Sequence, residues 1–399
     1  MKYTKFIYSA LIVTSFSMIS CTNDDVNEEP TASYTVPPTY TFERNSKTTV
    51  DFSGQSSRLL MLEEMGNLIK NAATNGTIAD KTVLSNMFSN SNNAFSTTDL
   101  NTSGKQLKDK TAASKNYFEL YLGGGSITEK TAVQAFFELQ LTLAQDASRG
   151  TNAAAGVYLD GTSKRLFAPN GLEPQQVLLK GMMGASFMDQ IVNNYLSKNK
   201  LDDGSNKINN SNKIVEAGKS YTTMEHNWDE AYGYIYGVDG TKFWSSYINQ
   251  VNADVDFNTV TADINLAFRK GRAAIIANDY ATRDAQIAII KAKLALVPAV
   301  RAVFYLQEGK GKLVTDKGAK AFHALSEAYG FIMSLRYTNN PATNAPYFSK
   351  SEVDTMLANM VSGTNGLWDI DTLGAKLDAM STQIAVKFGF TVAQAATVN

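Results

Sequence analysis

Two histidines, His226 and His323, are the only ones in the 399 residues, and both open the same pattern. Residues 226–235 read His-Asn-Trp-Asp-Glu-Ala-Tyr-Gly-Tyr-Ile, and residues 323–332 read His-Ala-Leu-Ser-Glu-Ala-Tyr-Gly-Phe-Ile. On a helix, side chains four apart share a face, so His226 meets Glu230 and His323 meets Glu327. Each pair is close enough to hydrogen-bond or to grasp one ion together. Two such helices packed about a pseudo-twofold axis would bring two imidazoles and two carboxylates to one place, with Glu225 and Asp229 as further oxygen donors. Mixed nitrogen and oxygen donors suit iron or zinc. The same pattern has a plainer reading, in which each His–Glu pair orients a helix while Tyr and Gly give close packing. The di-iron bundle signature, Glu-x-x-His, has a three-residue spacing that neither segment keeps.

Other chemistry is poorly represented. There is no His-Glu-x-x-His zinc-protease signature and no Gly-x-Ser-x-Gly elbow, so no catalytic residue is assigned and the chain is not read as an enzyme. Asp254-Val255-Asp256-Phe257-Asn258 begins like a calcium loop, but Thr259 stands at the turn glycine and Asn265 at the bidentate glutamate. Trp228, Tyr232, Tyr234, Tyr236, Phe243 and Trp244 form a dense aromatic group, read as core packing before a ligand wall.

The elements that must carry these residues are helices. Leu59, Leu60, Leu62, Met65, Leu68 and Ile69 recur at three- and four-residue spacings after Gly54, and Val133, Phe136, Phe137, Leu139, Leu141 and Leu143 do so within Thr131 to Ala147. Pro174 opens another helix running to Ile191 and Tyr195, and a long apolar stretch from Arg283 to Leu306 should kink or divide at Pro298. Ser349 followed by Glu352 reads as a capped start. Leu178-Leu179-Lys180 and Ile289-Ile290-Lys291 each precede one copy of the repeat, as a duplicated helical hairpin requires. Strand-type alternation is scarce. The expected fold is an all-α multi-helix bundle, built as two pseudo-symmetric halves.

The first residues bear on compartment. Lys2 and Lys5 precede an apolar run from Phe6 to Ile19, and Ser20 is followed by the only cysteine, Cys21. Met18-Ile19-Ser20-Cys21 resembles a lipobox, which implies a signal peptide over 1–20 and lipidation of Cys21. Asp24, Asp25, Glu28 and Glu29 resemble an acidic surface-export tag of Gram-negative lipoproteins. Residues 21–41, with Pro30, Pro37 and Pro38, are read as an extended tether, reaching at most about 65 Å at roughly 3.3 Å per residue. Residues 42–399 then form the helical domain. With 37 basic and 38 acidic side chains, and no basic cluster larger than Arg269-Lys270-Gly271-Arg272, a nucleic-acid partner is excluded. That cluster is read as a solvated helix turn.

Several segments together carry a family resemblance: Tyr40-Thr41-Phe42, Thr49 to Gln55 with Arg58 to Leu62, Ser103 to Lys110, and both histidine segments. They resemble domain-of-unknown-function family 4856, envelope lipoproteins associated with imelysin-like, iron-regulated lipoproteins. The resemblance implies paired helical bundles and a link to iron. The imelysin motif is Gly-x-His-x-x-Glu, whereas Met224 and Ala321 stand two before the histidines here. The resulting expectation is a surface-exposed outer-membrane lipoprotein that binds or assists in iron, zinc or haem acquisition, with envelope proteins as partners. The alternative is a structural or interaction lipoprotein of the outer membrane with no small-molecule ligand.

Overall fold

The computed structural model describes residues 34–122, 126–150, 155–315 and 318–397. The signal segment, Cys21 and the acidic residues that follow it lie outside the described residues.

The body opens with a small hairpin, β1 (Glu43–Arg44) and β2 (Lys47–Thr48). Its turn residues Asn45 and Ser46 both have positive φ, the conformation that matches the twist of a two-residue hairpin. Helices follow: α1 (Ser53–Asn75), α2 (Lys81–Ser89), α3 (Thr98–Thr102) and α4 (Ser126–Arg149). A second hairpin, β3 (Gly156–Asp160) and β4 (Ser163–Phe167), leads to α5 (Pro174–Met182). The chain stays helical beyond α5 but widens into π turns at Met183–Met188 and Ile191–Tyr195. Then come α6 (Lys198–Leu201), α7 (Asn206–Ser211), α8 (Thr223–Tyr236), α9 (Trp244–Ala253) and α10 (Val260–Ala277). The last are α11 (Tyr280–Thr315), α12 (Ala319–Leu335), α13 (Lys350–Met360), α14 (Ile370–Phe388) and α15 (Val392–Ala396).

The all-α expectation holds. Leu59, Leu62, Met65 and Ile69 of α1 and Val133, Phe137 and Leu141 of α4 are buried as their periodicity requires. The capping box at Ser349 and Glu352 is formed, and a second one, Thr222 with Glu225, starts α8. Residues 36–399 make one compact unit.

Three expectations need correction. Of the two outcomes expected at Pro298, division does not occur: helix α11 runs unbroken for 36 residues through it. It is gripped by α10, α12 and α14, and burial of Leu294, Val297, Val300 and Val303 offsets the one backbone bond that proline removes. The β3–β4 hairpin escaped the strand search, although Asp160-Gly161 is a turn signal and Gly161 takes the left-handed conformation it needs. The stretch read as tether also ends earlier than Thr41: Tyr40 stacks on Tyr232 with centroids 3.6 Å apart, and Arg269 Nη1 donates to the Pro37 carbonyl at 2.6 Å. Tyr40 buries a ring whose hydroxyl also has a partner in the body, which outweighs the extended preference of its proline-rich flank.

No helix among the described residues is long and apolar enough to cross a membrane.

Candidate functional site

Both histidine segments are helical: α8 carries the first and α12 the second. Each lays its repeated glycine against a neighbouring helix. A Cβ on Gly233 would lie 2.4 Å from Phe52 Cβ and 3.0 Å from Gln55 Cβ, and one on Gly330 would lie 2.4 Å from Lys180 Cβ. The same neighbours reach over to the repeated glutamate one turn earlier. Gln55 Nε2 donates to Glu230 at 2.9 Å, and the Lys180 ammonium sits 2.9 Å from Glu327. The repeat therefore encodes a docking device: a glycine lets the partner helix approach, and a glutamate bonds the side chain that comes with it.

The partners differ in character. Glu230 also accepts from the Tyr195 hydroxyl at 3.2 Å, so both groups that bond it are neutral, while Arg58 and Lys110 act on its charge without bonding it. Glu327 meets a buried cation, and Tyr305 donates to it as well. Burial pushes Glu327 up, but Lys180, His323 and Tyr305 outweigh burial and hold it below the usual range. The helices also pair otherwise than a duplicated hairpin implies. Lys180 of α5 serves the second copy of the repeat, not the first, and Lys291 of α11 serves neither.

In neither helix do the histidine and glutamate bond to each other. His323 Nδ1–H donates to Glu173 at 2.6 Å, a carboxylate that Arg165 also approaches at 3.6 Å. His226 lies flat on Tyr221, centroids 4.4 Å apart, and its Nδ1 is buried without a partner.

The weaker candidates, Glu225 and Asp229, belong to a separate cluster around Arg272. That guanidinium is fully buried and reaches Asp229 at 2.9 Å and Glu225 at 3.3 Å. Arg44 adds a contact to Glu225 at 2.7 Å, Tyr40 donates to Asp229 at 2.6 Å, and Arg272 Nη2 donates to Thr49 Oγ1 at 3.0 Å. Burial pushes Asp229 up to about 6 against the pull of Arg272. Burial pushes Glu225 the same way, but Arg272, Arg44 and the Thr222 N–H outweigh it and hold Glu225 low. The reading of 269–272 as a solvated turn is thus corrected: Arg272 is the hub that fastens residues 40–49 to α8 and α10.

These residues do not fit an iron or zinc centre. Among the described residues no three of His, Cys, Asp and Glu come together to hold a metal ion. His226, Glu230, His323 and Glu327 are split between two helix contacts. The strongest oxygen donors, Glu225, Asp229 and Glu327, already face resident cations that would repel a metal. Asp254 of the calcium-like stretch caps the 3-10 turn Val255–Phe257 by accepting from Asp256 N–H. Of the aromatic group, Trp228, Tyr234 and Trp244 are fully buried, and both indole N–H groups donate to carbonyls of the core.

Residues 37–49 thus form a strap held to the body, and the segment matched by the family begins where it does. The chain belongs to the family described as Domain of unknown function (DUF4856), matching it over residues 37–391. No curated protein and no solved structure matches the chain. Pro37, the first matched residue, is the one whose carbonyl Arg269 holds. Of the partners that complete these contacts, Glu173 carried no signal in the sequence, and Gln55, Lys180, Tyr195 and Arg272 stood out there for other reasons, none as a partner of the repeat. Only the repeat pointed to the helices they serve.

Proposed function

We propose that this chain is a lipid-anchored binding or accessory protein of the outer membrane, with its body displayed outward and the two histidine helices serving the fold rather than a metal. The observation that carries the second half is the saturation of the motif carboxylates: each of Glu225, Asp229, Glu230 and Glu327 already has a fixed donor from another part of the chain. The first half rests on Met18-Ile19-Ser20-Cys21 and on the acidic residues after it. The arginine-held strap supports it physically, since a pull on residues 37–49 is passed to the body through the Arg44–Glu225 ion pair and the hydrogen bonds of Pro37, Tyr40 and Thr49 instead of a loose end. Iron, zinc or haem acquisition through the histidines is not carried forward, and no catalytic role is assigned.

Two measurements test this reading. Replacing Cys21 with serine should move the protein from the membrane fraction to the soluble one, and membrane retention of that variant would remove the lipid anchor. Elemental analysis of protein purified without added metal should find no stoichiometric iron or zinc. Finding either, lost on His226→Ala or His323→Ala, would restore a metal role.

A further inference from the structure

Lys291 of α11 is only 6% exposed, yet its ammonium has no hydrogen-bond or ion-pair partner among the described residues. A largely buried lysine with no bonded partner is costly to hold, and the tip of this one is not sealed off, with Asp284 acting on it from a distance. It lines a cleft of about 510 Å³ between α11, the α6 turn and the loop before α13. Three amides share the lining: Asn116, Asn199 and Asn344. Asn199 Nδ2 donates to Asn116 Oδ1 at 2.7 Å, which leaves the Asn116 NH2 and the Asn199 side-chain carbonyl turned to other partners.

The charges of the cleft do not balance. The charged residues that line it are Lys198, Lys291 and Asp284, and Lys198 pairs with Asp284 at 3.0 Å. One positive charge, that of Lys291, is left over. A single uncompensated cation suits a monoanion; a phosphate monoester, with a charge of about −1.5 to −2, would set its surplus against Asp284.

We propose that this cleft binds a small hydroxylated monocarboxylate, with the carboxylate on the Lys291 ammonium and the hydroxyls on the amides of Asn116, Asn199 and Asn344. The site lies apart from the histidine helices and does not depend on how the chain is anchored. Burial holds Lys291 down to about 8, with Asp284 offsetting part of the effect. A bound carboxylate favours the charged amine, so affinity should fall as pH rises past that value. The other charges around the cleft, Lys198, Asp284 and Arg283, are tied in ion pairs, and the loop bearing Pro341 and Asn344 adds none.

The test uses the full-length protein in detergent, with glucuronate as the probe, glucose as its neutral counterpart and glucose 6-phosphate as the dianion. Saturation-transfer NMR should show glucuronate binding, glucose near background, and a loss of about tenfold or more in Lys291→Met, the cost of one charge-assisted bond. Lys291→Met alone should raise Tm, because a largely buried charge with no bonded partner is removed, and that rise certifies a folded variant. Equal glucuronate binding by Lys291→Met, or a preference for the phosphate, would overturn the proposal. So would the failure of glucuronate, gluconate and lactate to bind at about 50 mM, well beyond a millimolar Kd.

Discussion

Helices α8 and α12 carry the same ten-residue pattern and use it for the same mechanical end, yet they solve the electrostatics differently. On α8 the repeated glutamate bonds the neutral donors Gln55 and Tyr195, with Arg58 and Lys110 acting on it only at longer range, and the helix's bonded ion pairs are those of Arg272 with Glu225 and Asp229. On α12 the repeated glutamate itself holds the buried charge, opposite Lys180. The shared glycine and glutamate thus set how a helix docks, while the residue delivered by the neighbour sets whether the contact is an amide bond or an ion pair. A repeat can keep its packing role through such a change, because the glycine contact depends on shape and the glutamate accepts from any donor.

The largest expected effect separates the two ion sites. Arg272→Met leaves Asp229 and Glu225 buried with fewer donors, and should cost about 3–5 kcal/mol of unfolding free energy in urea melts. Lys180→Met strands one carboxylate that keeps Tyr305, so its cost should be smaller. The reverse order would mean that α12, not the strap, is the more critical seam.

The glycines probe what the helices share. Gly233→Ala and Gly330→Ala should each cost about 2–3 kcal/mol, because the new methyl meets a Cβ at 2.4 Å that cannot swing aside. The double variant should be additive within about 0.5 kcal/mol, as separate contacts are. Strong coupling between the two would show that the contacts form one unit.

Acid titration should give opposite signs. Asp229, pushed up to about 6, binds more protons folded than unfolded, so its share of stability falls as pH rises from about 4 to 6. Glu327 is held low, so its share is lost as pH drops through and below its ordinary range near 4.5. Stability measured from pH 3 to 7 should therefore change slope in opposite senses in Asp229→Asn and Glu327→Gln, by at most about 1.4 kcal/mol per pH unit. Slopes of one sign in both variants would erase the distinction.

The histidines give the smallest effect. His323→Phe removes a bond to the carboxylate of Glu173 and should cost about 1–2 kcal/mol, whereas His226→Phe keeps the stack on Tyr221, frees a buried nitrogen of its unmet demand, and should be near neutral. A large loss at His226 would mean that its Nδ1 has a partner in solution.

What was legible beforehand follows from range. Helix positions, the capped start at Ser349 and the equivalence of 226–235 with 323–332 are local matters, written within one or two turns of the chain. Local spacing was therefore enough for the all-α class and for singling out the two helices that matter. It also placed His and Glu on one helix and invited them to bond. Tertiary structure decided otherwise: Tyr40 reaches Asp229 across 189 positions, Gln55 reaches Glu230 across 175, and His323 turns to Glu173 across 150. Whether Arg272 is a solvated turn or a buried hub, and whether Lys291 is a surface lysine or a largely buried one at the wall of a cleft, was equally unwritten. A charged residue's role depends on which distant group shares its low-dielectric surroundings, and neither spacing nor composition encodes that meeting.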